Sequence, residues 1–185
     1  ELITAANKDF QGALEVGDSH ISPFSNFPYV SIDLDHLKVF ENKNKDRAPL
    51  IDINDVYLGF DLISLVQGQM EIKALKLKDG SIILVQHADG TFNIANALSG
   101  RENIDNPAEE FHLDIQSIHL MNIDLVKINE ENNILIEAFI DEAKSRFKSS
   151  TDHVLASLDS RFQLNVVMGG DTTFIKHKHF EVKTQ

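Results

Sequence analysis

Leu34-Asp-His-Leu37-Lys-Val39, Ile53-Asn-Asp-Val56-Tyr-Leu58 and Ile72-Lys-Ala-Leu75-Lys-Leu77 are three copies of one pattern, each starting 19 residues after the last. A fourth, Ile115-Gln-Ser-Ile118-His-Leu120, follows 43 residues further on. With φ for an apolar residue, all four read φ-x-x-φ-x-φ. Apolar residues two apart share one face of a strand. The extra residue in the x-x step fits a strand that carries a β-bulge, which also bends it. A helix would bring Leu34 and Leu37 together, but the next residue on that helical face is Glu41. The repeat therefore reads as strands.

The segments around the copies agree. Asn42 to Asp46 is a polar hairpin-type loop, and Asp79-Gly80 and Asp89-Gly90 are strong turn dipeptides. Ile82-Ile83-Leu84-Val85 between those two dipeptides reads as a short buried strand. Val154, Ala156, Leu158, Ser160, Phe162, Leu164 and Val166 occupy every second position, the pattern of a long half-buried strand. Ile134, Ile136, Ala138 and Ile140 alternate in the same way, and Phe174 to Val182 forms a third, less regular segment. Helix formers at Ala138, Glu142 and Ala143 make a helix over Glu137 to Phe147 the alternative to a strand there. Short helices are expected at Leu2 to Phe10, at Asp61 to Val66 with Asp61 as cap, and at Phe92 to Leu98. Asn103 to Pro107 is polar and loop-like.

The expected fold is mainly β with minor α: an antiparallel, strongly curved, repeat-built sheet of nine or ten strands with two or three short helices. So few helices cannot cover such a sheet. It must close as a sandwich or barrel, or curl into a groove or half-barrel whose inner face stays apolar. Open apolar surface costs about 25 cal/mol per Å², so a groove is expected to carry a ligand. Composition does not choose between these forms.

With 185 residues, 42% hydrophobic and 25% charged, the chain has enough apolar material for a core. Its 17 Lys+Arg against 29 Asp+Glu give a net charge of −12, spread evenly along the sequence. That argues against nucleic acid, which needs a clustered positive surface. The absence of cysteine excludes disulfides and thiol chemistry. No apolar run approaches the ~18–20 residues of a membrane helix. Because it begins at Glu1 without Met, the chain reads as part of a longer protein, with room for an anchor before Glu1.

Candidate chemistry is sparse. His177-Lys-His179 has a same-face spacing that zinc or nickel sites use, but spacing fixes no third ligand. His20, His36, His87 and His153 stand alone in the sequence and read as surface residues. Asp33 and Asp35, like Asp52, Asn54 and Asp55, read as the solvent side of strands. No nucleophile elbow, phosphate loop or calcium loop is present, and Gly169-Gly170-Asp171 reads as a turn. Asp89 to Asn93 reads as an irregular turn that buries Phe92 and turns the Asn93 amide onto the backbone. No catalytic residue, cofactor or metal ligand is assigned.

Residues 10 to 98 resemble the N-terminal region of the AsmA family of bacterial envelope proteins. The matching run begins Phe10-Gln-Gly12-Ala-Leu14-Glu-Val16-Gly17-Asp18, then Ile21-Ser-Pro23-Phe24-Ser-Asn-Phe27-Pro28 and Val30-Ser-Ile32. It continues with Pro49-Leu50-Ile51 and with Val56-Tyr-Leu58-Gly-Phe60-Asp61-Leu62-Ile63-Ser64-Leu65-Val66-Gln-Gly68. It closes with Ile72, Leu75, Leu77, the two Asp-Gly pairs, Thr91-Phe92-Asn93 and Ala97-Leu98. Order and spacing carry the likeness, and residues 110 to 185 share only the general β-repeat style. The resemblance implies residues 1–100 as an AsmA-like β-repeat region with short helices and 101–185 as a continuation of the β-groove. It implies a non-catalytic periplasmic protein, anchored to the inner membrane and similar to bridge-like lipid carriers. Such a protein would handle phospholipid or another acyl lipid and support outer-membrane assembly. Val154, Leu158, Phe162, Leu164 and Val166 are the lipid-contact candidates. The alternative is a β-sandwich scaffold that recruits envelope proteins through an edge strand.

Overall fold

The structure, a computed structural model, describes residues 7, 10–26, 29–45, 47–67, 71–99, 112–149, 154–169 and 172–184. Nine strands build one sheet: β1 (Ala13–Glu15), β2 (Asp18–Asn26), β3 (Tyr29–Phe40), β4 (Ile51–Asp61), β5 (Glu71–Gln86), β6 (His112–Asn129), β7 (Ile134–Ser149), β8 (Val154–Met168) and β9 (Thr172–Lys183). The spatial order follows the chain from β3 to β9, with β1 and β2 both paired to β3. All pairings are antiparallel except β5 with β6, which is parallel. The sheet is open: it does not close into a barrel, and no second sheet among the described residues packs on it as in a sandwich.

Pairing register converts the sequence repeat into rungs. Leu34, Val56, Leu77, Leu120, Ala143, Ser160 and Val182 stand successively opposite one another from β3 to β9. The next rung is Leu37, Ile53, Gly80, Ile123, Ile140, Phe162 and Phe180. Between these two rungs five strands each hold one residue too many for strict alternation: His36, Asn54, Asp79, Asn122 and Asp141. Each faces its counterpart on the neighbouring strand, so the register on either side is unchanged from β3 to β7. His36, Asp79 and Asn122 absorb the extra residue with positive φ of 54°, 55° and 51°, a conformation that Asn, Asp and His tolerate better than most residues. The row ends at β8, where Glu142 faces Arg161 and Ile140 faces Phe162, leaving Asp141 bulged. Hence β8 alternates without a break, as its sequence indicates.

Several expectations are corrected here. Asp79-Gly80 is no turn: β5 runs through it as one 16-residue strand that contains Ile82 to Val85. Gly80 is required by crowding, since a Cβ there would lie 2.2 Å from the Asp52 carbonyl oxygen and 2.7 Å from Ile53 Cα. The other dipeptide does turn, with Gly90 at φ 86°. Glu137 to Phe147 is strand. The helices found are α1 (Leu62–Val66), whose cap Asp61 accepts a bond from Ser64 N at 2.8 Å, and α2 (Asn93–Leu98). The expected Leu2–Phe10 helix and the Asn103–Pro107 loop lie outside the described residues, apart from Asn7 and Phe10.

Parallel pairing of β5 with β6 demands a crossover, and α2 lies on it. Ala97 is buried with Val39 and Leu50, and Ile94, Leu14, Leu37 and Ile51 pack around them. β4 stops at Ile51, which leaves the end of β5 without that neighbour. Asn93 supplies the missing partners: its Oδ1 accepts from Val85 N at 3.0 Å and its Nδ2 donates to the Ile83 carbonyl at 2.8 Å. The expected role of Asn93 is thus realised, whereas Phe92 is only half-buried. The main core lies on the same face, where Leu34, Ile53, Val56, Leu77 and Ile123 cluster and Ile53 and Ile123 are 0% exposed.

Candidate functional site

The two faces of the sheet differ in chemistry because the pleat sorts them. On one, polar side chains pair across strands: Lys38 with Asp52 at 3.6 Å, Lys78 with Asp55 at 3.3 Å, and His119 and Arg161 with Glu142 at 2.9 and 3.4 Å, while Lys144 meets Glu142 along the same strand at 2.7 Å. The Lys144 ammonium, followed by the His119 imidazole, holds the Glu142 carboxyl down at about 2. Asp33, on the same face, accepts a bond from Ser22 Oγ at 2.8 Å. A depression of about 480 Å³ lies there, lined among others by Asp33, Asp55, Tyr57, Lys76, Lys78 and His119. Burial pushes the Tyr57 hydroxyl above its ordinary value. Every carboxylate whose shift is resolved is held below its ordinary value by donors or cations around it. Such carboxylates suit a general acid at neutral pH poorly.

The opposite face is apolar from strand to strand. Besides the two rungs above, Leu14, Val39, Ile51, Ile82, Leu125, Ala138 and Leu164 form a third, and Ile21, Ile32, Leu58, Leu75, Ile118, Ser145 and Leu158 a fourth. Ile53 and Val56 on β4 and Ile123 on β6 are buried on this face, with Leu58, Leu120 and Leu125 half-buried beside them. Toward β8 and β9 it opens: Leu158, Phe162, Leu164 and Val166 are half-buried, and Phe180 is 38% exposed. The Phe162 and Phe180 rings stack with centroids 5.4 Å apart. The four candidates therefore share the apolar face, interleaved with the buried Ser160. For Val154 the described feature is its backbone pairing with Ser149. β7 contributes the small residues Ala138, Ala143 and Ser145 to this strip, between larger side chains on β6 and β8.

The histidines distribute differently from their sequence reading. His177 has positive φ of 43° at an irregularity in the β8–β9 register, so simple alternation does not place it with His179. His87 is no solitary surface residue: Nε2 meets Glu41 at 3.1 Å and Nδ1 meets Glu130 at 3.2 Å. His20 approaches Asp35 at 3.9 Å and forms with Asp18 the one group of three metal-capable side chains among the described residues, all largely solvated. His153 lies outside the described residues. Sequence reading also missed a further copy of the repeat, Leu120-Met-Asn-Ile123-Asp-Leu125, which the same φ-x-x-φ-x-φ search would have found. Among the described residues no helix is long and apolar enough to cross a membrane.

Compared with known proteins, the chain matches no family model and no curated protein.

Proposed function

We propose that the apolar face holds and guides the acyl chains of a phospholipid or similar lipid. In this reading the chain is a non-catalytic AsmA-like domain of the periplasm, tied to the inner membrane by an anchor before Glu1 and supporting outer-membrane assembly. The sheet curls with its apolar face inward, so that the rungs line a groove. The observation that carries the reading is the predominantly apolar face from β3 to β9 on an open sheet, half-exposed where β8 and β9 lie. The resemblance of residues 10 to 98 to the AsmA family adds to it.

Desolvation supplies the binding. Each CH₂ removed from water is worth about 0.8 kcal/mol. A row of similar contacts at strand spacings of about 4.8 Å, without a deep polar pocket, lets a chain slide along the face and gives no single place to lodge. Paired charges on the opposite face keep the sheet in water.

Organic extraction and mass spectrometry of the chain purified without detergent, beside an unrelated β-protein, test this. Enrichment of phospholipid is the expected result. Leu158→Asp and Phe162→Asp then retain β-type circular dichroism while photo-cross-linking of lipid from β8 fails. Absence of lipid, or unfolding of both variants, overturns the reading for this face. A second reading, strand addition by a partner protein, is favoured by the two open edges at β2 and β9. It requires a lipid-free protein that captures an extended peptide.

A further inference from the structure

We infer that the apolar face reads the charge of the lipid it carries, through Lys127 and Lys178, and prefers a net-anionic headgroup. This rests on the acyl-chain reading above. Lys178 stands opposite Leu164, and Lys127 stands between Leu84 and Ile136, so both occupy rungs of the apolar face. Among the described residues they are the only charged ones at the rung positions of that face from β3 to β9, and no acid is found there, in a chain with 29 Asp+Glu. On the polar face Lys38, Lys78, Lys144 and Lys183 are each matched to a carboxylate, and Lys76 alone of the lysines named there is not. Among the described residues, Lys127 and Lys178 have no ion pair.

Their placement fits an amphiphile. One rung beyond Lys127 the face turns polar on β5 and β6, with Asn129 opposite Gln86 and bonded to it at 3.1 Å, while β7 and β8 place Ile134 and Met168 there. Lys127 thus sits beside the polar end of the face on β6, and Lys178 lies one rung further in, toward Leu158. Lys127, on β6, and Lys178, on β9, lie on either side of the half-exposed strip of β7 and β8. A lysine stem lies along apolar surface while its ammonium stays in water. An acyl chain lying on the strip toward Leu158 would leave its headgroup at the lysine end. A matched anion there meets an ammonium that no protein carboxylate occupies, and the protein's −12 charge gives it no other attraction on this face.

The test measures lipid taken up by the 185-residue chain from vesicles of phosphatidylglycerol or of phosphatidylcholine with equal acyl chains, after gel filtration at moderate salt. A lysine at an anionic lipid surface contributes about a fivefold preference, so wild type takes up phosphatidylglycerol at least about fivefold better. Lys127→Gln with Lys178→Gln removes the preference and retains phosphatidylcholine uptake. Lys127→Arg with Lys178→Arg keeps it, as does Lys76→Gln with Lys144→Gln, which removes the same charge from the polar face. An unchanged preference in the Lys127/Lys178 glutamine variant, or an equal loss in the Lys76/Lys144 variant, overturns the inference and leaves lipid holding intact. Failure of wild type to take up either lipid overturns the acyl-chain reading itself, and this one with it.

Discussion

Replacing Gly80 and Gly90 in turn by asparagine separates two reasons for a glycine. Both stand in Asp-Gly dipeptides, and both read in the sequence as turn glycines. Gly90 has φ 86° with nothing within 4 Å of where a Cβ would stand, so its requirement is conformational. Asparagine tolerates that region, and Gly90→Asn costs about 1 kcal/mol or less. At Gly80 a side chain would meet Asp52 O at 2.2 Å, Ile53 Cα at 2.7 Å and Ile53 Cδ1 at 2.9 Å. Two of those three atoms belong to the backbone of a central strand, and Ile53 is 0% exposed, so no rotamer change relieves the contact. Overpacking of a tight core costs about 1–3 kcal/mol even when side chains can adjust. Gly80→Asn is therefore expected to cost about 3 kcal/mol or more, a large part of a typical stability of about 5–15 kcal/mol. Urea denaturation followed by circular dichroism gives both values on one scale. Equal costs at the two positions, or a Gly80→Asn variant within about 1 kcal/mol of wild type, would refute the argument that rung packing holds Gly80.

Three further outcomes follow from the same structure. Ile123→Ala, at a 0% exposed position, lowers unfolding free energy by about 2–5 kcal/mol; Leu155→Ala, 60% exposed, changes it by less than about 0.5 kcal/mol, and similar values for both would place the core elsewhere. Asn93→Ala leaves Val85 N and the Ile83 carbonyl without their side-chain partners, at a cost of about 1–3 kcal/mol, and raises amide exchange at Val85 above that at Leu77; unchanged exchange contradicts the edge-capping role. The His87 imidazole is held above its ordinary 6.5, first by the Glu41 carboxylate and then by Glu130. A raised pKa stabilises the fold fully below the ordinary value and ceases to do so as pH rises through the raised one. The melting temperature of wild type should therefore exceed that of His87→Gln most at about pH 5.5–6, with a gap that narrows as the medium turns alkaline; a gap that widens with pH reverses the sign and refutes the linkage.

The nature of the site was only partly legible. Leu158, Phe162, Leu164 and Val166 could be chosen from alternation because β8 carries no extra residue, so period two survives across it. Lys127 and Lys178 could not, since a lysine beside apolar neighbours looks the same in sequence whichever face it takes. The clamp of His87 by Glu41 and Glu130 was invisible for another reason: its members are 46 and 43 residues apart.

What the sequence determined by itself is the local geometry. Apolar residues at spacings of two and three forced strands with one residue too many for alternation; within the row of five such residues the expected bulge is found only at Asp141, because elsewhere they face one another. Asp61 placed the start of a helix, and Asn93 was marked as a backbone partner. These follow from short-range sterics and hydrogen bonding, which neighbouring residues settle among themselves. Tertiary structure alone decided which strand lies beside which. The parallel pairing of β5 with β6, the alignment of five extra residues into one row, and the crowding of Gly80 by Ile53 all arise between segments far apart in the chain. No local pattern encodes them, because their free energy comes from burying one strand's apolar face beside another's.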